Sequence, residues 1–426
     1  MTLDYNCGIM YLFKRKVASE TMIKRESYLS QIRPFIDKSE LIKVIVGVRR
    51  SGKSIMLELI KEELLDKHVP QEQMISINFE DMNYSKLTTA EALHDYLKQK
   101  IETVNGRAYI FLDEIQEVKD WEKCVNSLRV NSDVDIYITG SNAKMLSGEY
   151  ATLLSGRYVE FTIYPFSFSE YCEARRIENE NKSINEYFME YVKYGGLPFL
   201  ATMPLDERAK TQYLKDIYAS VVIKDIVKRN KLRDVDLLER IIAYVAANIG
   251  RTFSANSIAA YFKSEKRTVA VDTIINYLNS CEKAYLFHKI SRMNLEGKEI
   301  LQINEKYYLA DHGLRQATYG NNQRDIELIL ENIICLELLR LGYKVTIGKN
   351  GTKEIDFVCD KDGKRIYVQV CYCLSSEKTE EREFGAYENI KDNYPKYVLS
   401  MDEFDMSRNG IIHMNIRDFL LKFKNQ

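Results

Sequence analysis

The residues best suited to chemistry begin at Gly47. Gly47, Val48, Arg49, Arg50, Ser51, Gly52, Lys53 and Ser54 satisfy the spacing G-x-x-x-x-G-K-[ST], with Ile55 next along the chain. Glycines at both ends let backbone N–H groups wrap phosphate oxygens, and a helix starting here adds the positive end of its dipole. Lys53 is placed to reach the β- and γ-phosphates of ATP, and the Ser54 hydroxyl to bind Mg2+. Downstream, the apolar run Tyr109-Ile110-Phe111-Leu112 ends in Asp113 and Glu114. An acid pair at a strand end divides the work of hydrolysis: Asp113 holds Mg2+ through water, and Glu114 polarises the attacking water. The next apolar run ends in Thr139-Gly140-Ser141-Asn142. There Asn142 or Ser141 is the candidate sensor of the γ-phosphate, against the alternative of a plain turn. Arg157, in Leu154-Ser155-Gly156-Arg157, is a candidate for stabilising transition-state charge on the nucleotide of a neighbouring subunit. That role implies a homo-oligomer.

These groups need a scaffold that brings strand ends together. Over 22–165, apolar strand candidates at 41–46, 74–79, 108–112, 134–139 and 158–163 alternate with helical stretches such as 54–67 and 89–102. Alternation of this kind predicts an α/β fold with a parallel sheet covered on both faces. Residues 1–21 read as an extension upstream of a more natural start at Met22. Residues 166–235 read as a helical lid, entered through the capped start Ser167-Phe168-Ser169-Glu170. Over 236–312, three helices and two short strands around Glu296-Gly297 give the outline of a winged helix-turn-helix. Its Arg251–Ala310 stretch carries nine basic and six acidic residues, and Lys263, Lys266 and Arg267 cluster before the last helix. A phosphate-docking face for DNA or RNA and a protein-contact face both fit that pattern. Residues 325–426 return to α/β: a helix at 326–340, strands at 344–347, 354–359, 366–372 and 397–399, and a helix at 381–393.

Composition excludes more than it assigns. With 61 basic and 62 acidic residues, the chain has no global pull toward nucleic acid. The eight cysteines lack C-x-x-C spacing, which argues against a zinc site and favours a reduced, cytoplasmic setting. No apolar stretch approaches bilayer-spanning length, so no membrane partner is expected.

Gly47–Ser54, Leu112–Gln116, Thr139–Asn142, Leu154–Arg157 and Tyr164-Pro165-Phe166-Ser167-Phe168 together resemble the AAA-type ATPases of bacteria and archaea related to the STAND class. The resemblance implies that Gly195-Gly196-Leu197-Pro198 is a lid motif whose Pro198 touches the base and sugar of the nucleotide. It also implies a C-terminal domain similar to PD-(D/E)XK nucleases, in which Glu331 and Asp356 match two metal-binding acids. The third acid is here Gln369, and Cys371 stands where the nuclease lysine belongs, so Lys364 or Lys378 would have to supply that cation. These departures favour a fold kept without catalysis over an active nuclease. The functions expected are an ATP-hydrolysing switch or motor acting on nucleic acid, a signalling or scaffold ATPase, or an ATP-regulated DNA nuclease.

Overall fold

The computed structural model describes residues 22–142, 154–177, 182–295, 297, 299–320 and 325–423; the extension read at 1–21 lies outside them. The first sheet has five parallel strands: β1 (Ile42–Val46), β2 (Met74–Asn78), β3 (Ala108–Asp113), β4 (Val134–Gly140) and β5 (Tyr158–Thr162). Their order is β2-β3-β4-β1-β5. The three central strands are buried at every position, while the edge strands β2 and β5 are only partly buried. A parallel sheet covered on both faces has no solvent side, which is why its central strands read as unbroken apolar runs rather than alternating ones.

β1 leads through residues 47–52 into the helix Lys53–Asp66, which buries Met56, Leu57, Leu59, Ile60 and Leu64. Gly47 has φ +143, and a Cβ there would fall 2.2 Å from the Ile163 carbonyl oxygen, so only glycine fits between the loop and the end of β5. The first sheet is followed by the helix Phe168–Ile177. Ser167 Oγ accepts the Glu170 N–H at 3.1 Å and Glu170 Oε2 accepts the Ser167 N–H at 2.8 Å, a reciprocal cap. The helices Ile184–Tyr194, Pro198–Thr202 and Glu207–Ser220 follow, and the last runs on as a π-helix, Val221–Lys228.

Three helices, Val235–Ala247, Ala255–Ser264 and Val271–Lys283, precede the hairpin of β6 (Phe287–Asn294) and β7 (Glu299–Leu309). These strands are long rather than short, and the reason is their pairing. β6 pairs in parallel with β8 (Lys344–Asn350), so the hairpin extends a seven-stranded sheet. That sheet continues with β9 (Lys353–Lys361), β10 (Lys364–Val370), β11 (Lys396–Ser400) and β12 (Ile411–Asn415), in the order β12-β11-β10-β9-β8-β6-β7. The helix Ile326–Arg340 is buried along most of its length against this sheet. The helix expected at 381–393 is displaced to Glu377–Gly385, because Ser376 caps it by accepting the Thr379 N–H at 3.2 Å. β12 and the helix Ile416–Lys422 were not anticipated. One apolar core joins a face of the first sheet to the three helices, and another joins the helices 168–177 and 184–194 to the second sheet.

Candidate nucleotide-binding site

Lys53 is 5% exposed, and its ammonium donates to the Val48 carbonyl at 3.2 Å, folding back across the loop. Burial pulls this ammonium below its ordinary range, while Glu114, Asp225 and Asp113, in that order, pull it back. Ser54 stands at the next position, near enough to Asp113 to favour its ionised form. Asp113, at the end of β3, accepts from Thr139 Oγ1, and from Asn78 Nδ2 at 3.2 Å. Burial raises its carboxyl, with Thr139 and Ser54 opposing. Glu114 adopts φ +57, and its N–H donates to Thr139 Oγ1 at 2.9 Å. One threonine hydroxyl thus donates to the first acid and accepts from the backbone of the second. Gln116 Nε2 donates to Glu114 Oε2, and Ser141 Oγ lies 3.4 Å from the same oxygen.

The two candidate sensors meet a third acid. Ser141 Oγ donates to Asp225 Oδ1 at 3.2 Å, and Asn142 Nδ2 to the Asp225 carbonyl at 3.2 Å. Arg49 donates from Nε to Asp225 Oδ2 at 2.9 Å. Of the remaining loop residues, Val48 is buried, Arg50 is exposed with φ +69, and Ile55 is 44% exposed. Pro198 is beside the loop: a Cβ on Gly52 would lie 3.8 Å from its Cγ.

Arg157 is elsewhere. Its carbonyl accepts the Ile42 N–H at 2.9 Å, at the start of β1, while the loop leaves the other end of that strand. The length of β1 separates them by roughly 16 Å, at about 3.3 Å per residue. Its guanidinium donates to Asn126 Oδ1 at 3.3 Å.

Sequence reasoning missed Arg25, Asn78, Thr139, Asp225 and Arg229. Arg25 donates to the Ser51 carbonyl at 2.9 Å, to the Tyr164 carbonyl at 2.8 Å and to Glu170 Oε1 at 2.9 Å, tying the loop to the capped helix Phe168–Ile177. Thr139 stood in a quoted strand end, and a hydroxyl opposite two acids on the neighbouring strand was its available signal. The others carry no local signal.

The C-terminal acids are brought together, around an unexpected cation. Lys306, from β7, lies 2.9 Å from Glu331 Oε1, 2.9 Å from Glu354 Oε1 and 3.5 Å from Asp356 Oδ1. Tyr308 OH donates to Glu331 at 2.6 Å. Burial works to lower the Lys306 ammonium, but Glu331, Asp356 and Glu354 raise it, and the net shift is upward. Burial pushes Glu331 up to about 7. Gln369 turns its Oε1 to the Asp356 N–H at 3.0 Å, and Asp356 Oδ2 accepts the Val370 N–H at 2.9 Å. Lys306, not Lys364 or Lys378, is therefore the lysine at these acids. Among the described residues no three His, Cys, Asp or Glu are grouped to hold a metal ion. In the basic cluster, Lys263 and Lys266 are exposed, but Arg267 is paired with Asp234 at 2.7 Å and with Asp236, which removes it as a free phosphate contact.

A parallel sheet in this order, with a phosphate loop leaving β1 and an acid pair leaving β3, defines an AAA-type P-loop ATPase domain. A family model described as an AAA domain matches residues 39–172, and one described as a domain of unknown function matches residues 185–325. The chain belongs to the same family as an uncharacterized protein of Haemophilus influenzae, with which it is 38% identical over 95% of this chain and 100% of that one. It is also 33% identical to an uncharacterized protein of Methanocaldococcus jannaschii, over 82% of this chain and 79% of that one. Among solved structures it is similar to a Walker-type ATPase of Pyrococcus abyssi, at 15% identity, 70% of this chain, 95% of that chain and a TM-score of 0.48. Cdc6p of Pyrobaculum aerophilum gives 12% identity, 72% and 92% coverage and a TM-score of 0.30. Among the described residues no helix is long and apolar enough to cross a membrane.

Proposed function

We propose that the chain is an Mg2+-dependent ATPase that works as a nucleotide switch. The observation that carries this reading is the shared Thr139 hydroxyl, which holds Asp113 and turns Glu114 beside it, both within the electrostatic reach of Lys53. Ser54 and Asp113 fit a hard divalent cation, because a hydroxyl and a carboxylate are both oxygen donors. Mg2+, when bound, would neutralise charge on the phosphates. Lys53 and the loop N–H groups bind the phosphates, Pro198 flanks the nucleoside, and Glu114 takes up the proton of the attacking water. Arg157 reaches the nucleotide of a neighbouring copy in a homo-oligomer.

In this reading 22–165 is the ATPase domain, 166–235 its lid, 236–312 a winged helix whose wing is built into the second sheet, and 325–426 a PD-(D/E)XK-like domain. The lysine among Glu331, Glu354 and Asp356 supports a non-catalytic role for the last. The test is phosphate release from ATP with Mg2+ and with chelator. Activity that needs Mg2+ and is lost in Asp113→Asn and Ser54→Ala supports the reading; activity indifferent to all three sinks it. A nucleic-acid target is the second reading, favoured by exposed Lys263 and Lys266. Reversing both charges should lower DNA affinity and flatten its salt dependence by about one log–log unit per lost phosphate contact.

A further inference from the structure

Asp225 is 1% exposed and lies in the π-helix Val221–Lys228. π-helical turns are rare and concentrate at functional sites, because a widened turn costs helix stability. Its carboxylate accepts from Arg49 of the phosphate loop at 2.9 and 3.3 Å and from Ser141 after β4 at 3.2 Å, and is ion-paired with Arg229, one turn on, at 3.5 Å. Ser141 also reaches Glu114, so Asp225 stands on the water-activating side of Lys53. Under the ATPase reading that is the side of the terminal phosphate. Guanidinium groups pair with phosphate oxygens in the same forked geometry they use for a carboxylate, so the two anions compete for the same donors.

We propose that Asp225 is an internal competitor for the terminal phosphate of ATP: the γ-phosphate takes Arg49 and Arg229 from it, ADP does not, and the exchange shifts the π-helical segment of the lid. This rests on the ATPase reading and adds two γ-phosphate ligands and the element that senses them. Asp225 is a positioning residue, acting through the arginines.

The test is equilibrium binding of a non-hydrolysable ATP analogue and of ADP, with Mg2+, to the full chain. Asp225→Asn keeps the size and an acceptor for Ser141 but removes the charge. It should tighten the triphosphate by at least about fivefold, the scale of ordinary coupling between sites, and leave ADP unchanged. Arg229→Gln should weaken the triphosphate alone, and adding it to Asp225→Asn should cancel most of the gain. An Asp225→Asn protein with an unaltered ATP-to-ADP preference overturns the proposal. If Asp225→Asn does not fold, Arg229→Gln decides: equal weakening of both nucleotides overturns the proposal, and selective weakening supports it. Lys53→Ala separates the two levels, since unchanged binding of both nucleotides there would remove the ATP site itself and the proposal with it.

Discussion

Asp311 Oδ2 accepts the N–H of Gly196 at 2.8 Å, joining the segment after β7 to the turn that faces the phosphate loop, across 115 positions of sequence. Its Oδ1 accepts the Gly313 N–H at 2.8 Å. A Cβ on Gly195, whose φ is +81, would lie 1.9 Å from that carboxylate, so the turn must be glycine. Pro198, which neighbours Gly52, follows this turn.

Burial pushes the Asp311 carboxyl from 3.8 up to about 7. The folded chain therefore keeps a proton that the unfolded chain releases, and between these values stability falls as pH rises, levelling above the higher one. Burial lowers His288 and His312 to about 4, which works the other way below about pH 6.5, so the expected result is a difference: between about pH 5 and pH 8 thermal melting should show the wild-type Tm falling relative to that of Asp311→Asn. Glu331 and Glu383, also raised to about 7 by burial, keep part of the slope. An unchanged slope in Asp311→Asn would contradict the assignment.

Lys306 is 2% exposed and pairs with Glu331 and Glu354 at 2.9 Å. Lys306→Met would leave the buried Glu331 carboxylate without its cation, a change that costs about 3–5 kcal/mol. Urea unfolding at neutral pH measures it. A loss under about 1 kcal/mol, the range of surface pairs, would mean that the pair is not structural.

The same lysine predicts that the C-terminal unit does not cut DNA. With Gln369 bonded to the Asp356 backbone and Lys306 against the acids, charge developing on a phosphate finds no metal cage. Plasmid incubated with Mg2+ or Mn2+, with and without ATP, should stay supercoiled. Nicking that disappears in Asp356→Ala would restore the nuclease reading.

Arg157 lies at the far end of β1 from the phosphate loop, so the role proposed for it is at the nucleotide of another copy. Mixed Arg157→Ala and Lys53→Ala chains should therefore recover ATPase activity that neither has alone. A stable monomer with full activity in sedimentation would rule the trans role out.

The parts of the site legible in the sequence are those whose chemistry needs contiguous residues. Gly47–Ser54 and Asp113-Glu114 carry their geometry locally, and so does the Ser167–Glu170 cap. Arg25, Asp225 and Lys306 do not. Each is one charged residue among many, given meaning by packing over distances such as the 176 positions between Arg49 and Asp225. The antiparallel pairing of β6 with β7 was legible as a hairpin, but the parallel pairing of β6 with β8 was not, since strand partners are chosen by the assembled sheet. The helix misplaced at 381–393 shows the same limit: its start is set by Ser376, and periodicity alone put it too late.

The central claim is that Lys53 binds the nucleotide while Glu114 activates water, and one paired measurement tests it: ATP affinity and steady-state hydrolysis in Glu114→Gln and Lys53→Ala beside wild type. The account predicts that Glu114→Gln binds ATP as wild type does and hydrolyses it at least about a hundredfold more slowly, the usual worth of a general base, while Lys53→Ala fails to bind. Undiminished hydrolysis in Glu114→Gln would contradict it.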